Sequence, residues 1–235
     1  MTYITLDLGI TKIYLLKCNG GYLLIDTGYE NDYPKFIKQL KKNKITIDQI
    51  KYVLLTHYHD DHAGFASKIK KEFNIPLIVQ KESVSLLSVG NSGTQEKDYP
   101  INKRIGFIFS LFMIVHKNFE YPAVIIDDND IVINQDDNTF LRSIGVDADI
   151  IFTPGHTRDS MCVLCDDKTA FVGDAAMNFL RFAGSDYRPI FYVDLNQTYE
   201  SMKKLIKAGT KTIVPAHGKP YSIDKLIKSV NKYHK

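Results

Sequence analysis

Apolar positions along this chain fall into short runs whose spacing alternates between strand and helix. Residues 3–8, 12–17 and 22–25 are compact apolar stretches of strand length, and Asn19-Gly20-Gly21 supplies a tight turn between the last two. Residues 34–42 switch to helical spacing, with Phe36, Ile37 and Leu40 set among lysines and Pro34 in the first turn. Val53-Leu54-Leu55 predicts a short buried strand running straight into Thr56-His57. The pattern then predicts a helix over 63–73, a strand over 77–79 and a helix over 82–87. Strands are predicted again at 123–126, 131–133, 140–144, 150–153, 161–164 and 169–172. A helix over 198–208, a strand over 212–214 and a helix over 222–234 complete it, with Asp224 meeting the positive end of the last helix.

Residues 88–122 fit neither period and read as an insertion containing a helix. Its apolar run, 105–115, is too short for the ~20 residues of a membrane-spanning helix. Burial of Phe107, Phe109, Leu111, Phe112 and Met113 against the core is the favoured reading. An apolar substrate pocket or a homodimer contact are the alternatives, and a lid is a further role for the insertion. The strands form two groups, each followed by helices, with no Gly-, Ser- or Pro-rich linker between them. We expect one domain over residues 1–235 of α/β (α+β) class, with two sheets face to face and helices outside.

Composition narrows the partners. The 235 residues carry 30 basic and 27 acidic side chains, a net charge of +3, too balanced to suggest nucleic acid. The lysines of residues 35–42 read as the solvated face of an amphipathic helix rather than a phosphate site. Three cysteines build no disulfide framework, and no signal peptide is visible, so a cytoplasmic location is expected. Cys162 and Cys165 have the spacing of a metal or redox pair, but on a strand they face opposite sides, which predicts structural roles.

The chemistry concentrates in Thr56-His57-Tyr58-His59-Asp60-Asp61-His62-Ala63-Gly64. His57 and His59 are two apart on an extended segment, so both rings point one way and can bind one ion. Asp61 and His62 lie where the chain turns into a helix and can be aimed at a second position. Four ligands cannot complete two metal spheres, and His156, Asp174 and His217 are the remaining candidates, each just after a predicted strand. Imidazole and carboxylate suit zinc, and also iron or manganese.

The run His57-Tyr58-His59-Asp60-Asp61-His62 resembles the His-x-His-x-Asp-His motif of the metallo-β-lactamase superfamily. Asp26-Thr27-Gly28, His156, Asp174 and His217 match its other motifs in order. The resemblance implies a four-layer αββα sandwich with two divalent metal ions at one edge. It implies that His57, His59 and His156 hold one ion, that Asp61, His62 and His217 hold the other, and that Asp174 bridges them. Asp60 is expected to point away from the metals. Asp26 is expected to steady the histidine loop from behind; the plainer alternative is an aspartate that merely opens a turn.

The implied activity is hydrolysis of an ester-like bond in a small molecule (lactone, thioester, carboxylester or phosphoester) by a metal-bridging hydroxide, with Asp61 orienting the nucleophile. A di-iron oxidoreductase and a non-catalytic binding module are the competing readings. Aspartate at 174, where the main zinc β-lactamases have cysteine, argues against antibiotic hydrolysis. His59, where the flavin-partnered di-iron branch has glutamate, argues against redox chemistry. The short stretch after His217 leaves no room for the helical domain of glyoxalase II-like thioesterases, and nothing resembles the RNA-binding arm of the tRNA-processing branch. Lactonases of the acyl-homoserine-lactone type place a tyrosine where Met177 stands, so Tyr58, Tyr187 or Tyr192 would have to supply a hydroxyl. Arg104, Arg158, Arg181 and Arg188 are candidates for an anionic substrate group, and His116 for a substrate contact.

Overall fold

The computed structural model describes residues 2–115 and 119–234. His116 lies outside them. Two sheets carry the fold. The first has the order β1 (Tyr3–Asp7), β2 (Lys12–Cys18), β3 (Gly21–Ile25), β4 (Ile50–Leu54), β5 (Leu77–Gln80) and β7 (Ile131–Ile133). The second has the order β13 (Tyr221–Ser222), β12 (Thr212–Val214), β10 (Thr169–Phe171), β9 (Met161–Cys165) and β8 (Ala148–Phe152). A two-stranded ribbon, β6 (Tyr99–Pro100) with β11 (Phe191–Tyr192), stands beside them.

Both faces of each sheet are covered, which is why their strands read as continuous apolar runs rather than as clean alternations. Neighbouring residues nevertheless part company by period two. Leu16, Leu23, Ile25, Leu54, Ile150, Met161 and Val163 form the core between the sheets. Ile13, Leu15, Leu24 and Val53 face the other way, against α1 (Tyr33–Lys42), α3 (Ala66–Phe73) and α4 (Ser83–Leu87). Ile151, Leu164 and Ile213 face α7 (Leu195–Lys207) and α8 (Ile223–Tyr233). The result is the αββα sandwich. Cys165 lies in the inner core and Cys162 in the outer one, so the two thiols do face opposite sides. On α1, Phe36 and Leu40 are buried while Lys35, Lys38, Lys41 and Lys42 are exposed.

The predicted strand at 140–144 is instead a helical turn, α6 (Phe140–Ser143). Asp137 Oδ1 accepts the backbone N–H groups of Thr139 and Phe140 and starts the turn. The predicted strand at 123–126 is not one either. Its Val124 N–H bonds to the carbonyl of Leu87, the last residue of α4, not to a strand, and Ile125 is exposed. The predicted helix at 63–73 is divided into α2 (Asp60–Ala63) and α3.

The 88–122 segment does contain a helix, α5 (Lys103–Val115). Burial of its apolar residues in the core is not what the structure shows. Phe107 and Leu111 are 66% and 51% exposed, whereas Phe109 and Phe112 line a cavity beside the site. No helix among the described residues is long and apolar enough to cross a membrane.

Candidate metal centre

Strand direction gathers the site. β3 and β4 are parallel, β10 and β12 are parallel, and β8 runs with β10 because both are antiparallel to β9. Asp26 follows β3, His57 follows β4, His156 follows β8, Asp174 follows β10 and His217 follows β12. All five therefore leave carboxyl ends of strands, within each sheet at one rim.

The seven residues singled out in the sequence come together there. Ligand atoms of His57, His59 and His156 lie within 4.8 Å of one another, and so do those of Asp61, His62 and His217. His57, His62 and Asp174 form a third such group between the two. Asp174 faces both sides with different oxygens: Oδ2 lies 3.7 Å from His156 Nε2, while Oδ1 lies 3.5 Å from Nε2 of both His62 and His217.

Each ring except His59 is held from behind. His156 Nδ1 donates to the Phe191 carbonyl (2.9 Å), His217 Nδ1 to the Ile10 carbonyl (3.1 Å) and His62 Nδ1 to Asp26 Oδ2 (2.9 Å). His57 Nδ1 lies 3.1 Å from Thr56 Oγ1. These partners fix the proton on Nδ1 and leave the Nε2 lone pair directed at the cluster, the arrangement metal-binding imidazoles use. Nε2 of His57, Nε2 of His62 and Oδ1 of Asp174 are buried with no hydrogen-bond partner among the described residues. The residues present thus fit a bound cation: these three buried atoms form no hydrogen bond with the described residues, and His62 Nε2 and Asp174 Oδ1 meet only at 3.5 Å.

The loops behind the site approach so closely that side chains are excluded. Thr27 clamps the His62 carbonyl with its N–H (2.7 Å) and its Oγ1 (2.8 Å). A Cβ on Gly64 would fall 2.6 Å from the Gly28 carbonyl oxygen. Gly173 combines a φ of +50° with a Cβ position 2.4 Å from Thr56 Oγ1, so glycine is needed there for both reasons.

Electrostatics divide the cluster. Burial holds His57 well below its ordinary pKa and His59 down to about 3, and neighbouring imidazoles add to it. Both are neutral and free of protons that would compete with a metal. On the other side burial also opposes charge, but Asp61, Asp26 and Asp174 raise His62 well above its ordinary value. Asp174 and Asp61 likewise carry His217 up to about 8 against burial. Burial pushes Asp174 upward, yet His217 and His62 bring it down to about 2. This side demands positive charge, which a divalent ion would supply in place of protons.

A cavity of about 300 Å³ opens on the cluster, lined by His59, Asp61, His156, Asp174 and His217 at its base. Tyr29, Glu96, Asp98, Phe179 and Phe191 also line it, and sequence reasoning singled out none of these. No local motif marks them; only the fold brings them there. Tyr58, Tyr187 and Tyr192, offered as hydroxyl donors, are not in the lining, and Tyr58 points its hydroxyl at the Ser92 carbonyl. The four arginines proposed for an anionic group are also elsewhere. Arg188 is buried on the Gly184 and Ser185 carbonyls, Arg158 faces Glu96, Arg181 covers Tyr187 and Arg104 borders a separate depression.

The metallo-beta-lactamase superfamily profile matches residues 6–217, nearly the whole chain and every residue of the cluster. The chain belongs to the metallo-beta-lactamase superfamily. The metallo-beta-lactamase fold-containing protein ST1585 of Sulfurisphaera tokodaii is 25% identical over 209 residues, 89% of this chain and 73% of that protein. The beta-lactamase-like protein 2 homolog of Caenorhabditis elegans is 26% identical over 225 residues, 95% of this chain but 60% of its own length. This superfamily member therefore spans about six-tenths of the worm protein. The crystal structure of ST1585, an archaeal superfamily protein from Sulfolobus tokodaii, superposes with a TM-score of 0.67 over 98% of this chain and 85% of that one. At 20% identity that likeness is one of fold.

In this superfamily member Asp159 ties the His156 loop to α4. It is fully buried, accepts from Ser83 Oγ (2.6 Å), and its Oδ1 has no hydrogen-bond partner among the described residues. Burial pushes its carboxyl up to about 6. Because the folded value lies above the unfolded ~3.9, this group costs nothing below about pH 4 and lowers stability as pH rises through 6. Asp159→Asn is expected to raise the melting temperature of the metal-free protein by a few degrees at pH 7.5, and by none at pH 4. Melting curves at the two pH values check it; an equal shift at both would remove the ionisation argument.

Proposed function

We propose that the protein is a dinuclear metal-dependent hydrolase of an ester-like bond in a small molecule. His57, His59 and His156 would hold one ion, Asp61, His62 and His217 the other, with Asp174 shared. Zinc suits this nitrogen and oxygen set best, with iron or manganese as alternatives. The observation that carries the reading is the trio of buried, unpartnered ligand atoms on His57, His62 and Asp174. A pair of bound ions would supply a water whose pKa falls from ~15.7 towards ~7 and would polarise the attacked oxygen.

The chain's own residues do the rest. Asp61 Oδ2 accepts from Thr11 Oγ1 (3.3 Å) and lies 2.9 Å from His217 Nε2, where both would face one ion; it also lines the cavity, where it would orient the attacking water. The Phe191 and Ile10 carbonyls keep His156 and His217 in one tautomer throughout. No cysteine is among the described residues that line the cavity, and burial pushes the thiols of Cys162 and Cys165 up to about 12.

The test is metal removal and return. Chelation is expected to abolish hydrolysis on lactone, thioester, carboxylester or phosphodiester panels. Zinc, manganese or iron is expected to restore it, with elemental analysis giving about two ions per chain. Full activity in the chelated protein would refute the reading.

A further inference from the structure

We propose that the cavity under α5 binds an uncharged acyl or aryl group of the substrate and rejects one that carries a negative charge. The proposal rests on the hydrolase reading and adds to it the class of substrate.

The cavity's volume, about 300 Å³, lies at the small end for small-molecule sites and suits one compact group rather than a polymer. Its roof is the inward side of α5, and its centre is Phe109. The Phe109 ring lies 4.5 Å from Phe191, 5.6 Å from Phe112 and 6.1 Å from Phe119, centroid to centroid. This aromatic wall is fastened to the metal cluster. Phe191 packs its ring on Phe109 and lends its carbonyl to His156 Nδ1 (2.9 Å). Across the cavity the Phe179 ring lies 5.8 Å from the His217 ring. A group resting on Phe109 and Phe191 is thereby placed beside the bond that reacts.

Charge completes the selection. No lysine or arginine is among the described residues that line the cavity, whereas Asp60, Glu96 and Asp98 are. The nearby Arg158 is half-exposed, outside the lining, with its guanidinium 3.7 Å from Glu96. A carboxylate or phosphate at the end far from the reacting bond would lose its water among aromatic rings and face acidic side chains, with no lysine or arginine in the described lining to pair with it. An apolar group gains from the same walls by leaving water.

The test uses the zinc-loaded full chain and two esters, 4-nitrophenyl hexanoate and mono-4-nitrophenyl adipate. Their acyl chains are equally long and differ in a terminal methyl against a terminal carboxylate. The hexanoate is expected to exceed the adipate at least about tenfold in kcat/KM. Lengthening from acetate to hexanoate is expected to raise kcat/KM by up to about fourfold per methylene, the ~0.8 kcal/mol of a buried CH₂. Phe109→Ala is expected to raise KM for the hexanoate about tenfold, with its melting curve showing that it folds.

Calorimetric binding of hexanamide to His59→Ala protein reads the pocket without turnover, and adding Phe109→Ala is expected to weaken it about tenfold. Hexanamide binding in a protein that hydrolyses no ester would support the pocket and remove the hydrolase reading. Equal or faster hydrolysis of the adipate, or hexanamide binding unaffected by Phe109→Ala, would overturn the proposal.

Discussion

His59→Ala is expected to lower kcat/KM at least a thousandfold and to take the metal content from two ions per chain towards one. On the proposed assignment the ring is one of four ligands at its position, with His57, His156 and Asp174. Its Nδ1 lies 3.2 Å from His156 Nε2, where both would face a shared ion. Loss of a thousandfold corresponds to ~4 kcal/mol of transition-state stabilisation, which is reasonable when the activated water itself depends on the ion. The fold should survive. His59 occupies the extended position before α2, with φ −62° and ψ 151°, which alanine adopts freely. It is not fully buried, and its side chain caps no helix. His57 is a poorer choice, because it is 1% exposed and its removal would leave a hole beside Thr56 as well as an incomplete site. Hydrolysis assays, elemental analysis and circular dichroism on the alanine variant decide the matter. Unchanged activity, or two ions still bound, would sink the assignment.

The seven-residue cluster was legible in the sequence because its chemistry is local at both scales. Three histidines and two aspartates in six positions cannot be read as ordinary core, and each remaining ligand follows a strand-length apolar run. Parallel strands then bring those run ends to one rim. The elements misread were those where tertiary context overrides a short apolar run. Residues 140–144 contain three large apolar side chains, but only Leu141 and Ile144 are buried, three apart, and the Asp137 carboxylate caps a helical turn ahead of them. Residues 123–126 have strand composition and no strand to pair with. The apolar run of α5 carried the least information. A helix apolar on all sides does not say which side meets protein, cavity or solvent. Here Phe109 faces the cavity while Phe107, two positions earlier, stands 66% exposed. The cavity wall also draws on Phe119, Phe179 and Phe191, which are far apart in sequence and share no spacing.

Asp26 offers the largest stability effect, and it separates two explanations of the Asp-Thr-Gly segment. The residue is 2% exposed and has a φ of 61°, a conformation that aspartate and asparagine tolerate better than most side chains. Its carboxylate accepts three buried hydrogen bonds: Thr56 N–H (2.7 Å), Thr56 Oγ1 (2.8 Å) and His62 Nδ1 (2.9 Å). Asp26→Ala strands all three donors and places alanine in the left-handed region. At about 1–3 kcal/mol per stranded donor the expected loss is on the order of 4 kcal/mol. For a chain of this size that is a fall of roughly 8–16 °C in melting temperature. Metal affinity should fall about 10–100-fold, because the His62 ring loses the partner that fixes its tautomer.

Asp26→Asn is the discriminating variant. Asparagine suits the same backbone conformation, so a residue that only shapes a turn would tolerate the change with little effect. An asparagine amide, however, can satisfy only part of this set of donors, since its NH₂ would face either the Thr56 N–H in the Oδ1 position or both Thr56 Oγ1 and His62 Nδ1 in the Oδ2 position. If the carboxylate orients the histidine loop, Asp26→Asn should lower metal affinity measurably, though less than Asp26→Ala, because either amide orientation strands at least one donor of the Thr56–His62 set. Calorimetric metal titration beside thermal melts separates the two quantities, and an asparagine variant with wild-type affinity would reduce Asp26 to a turn residue.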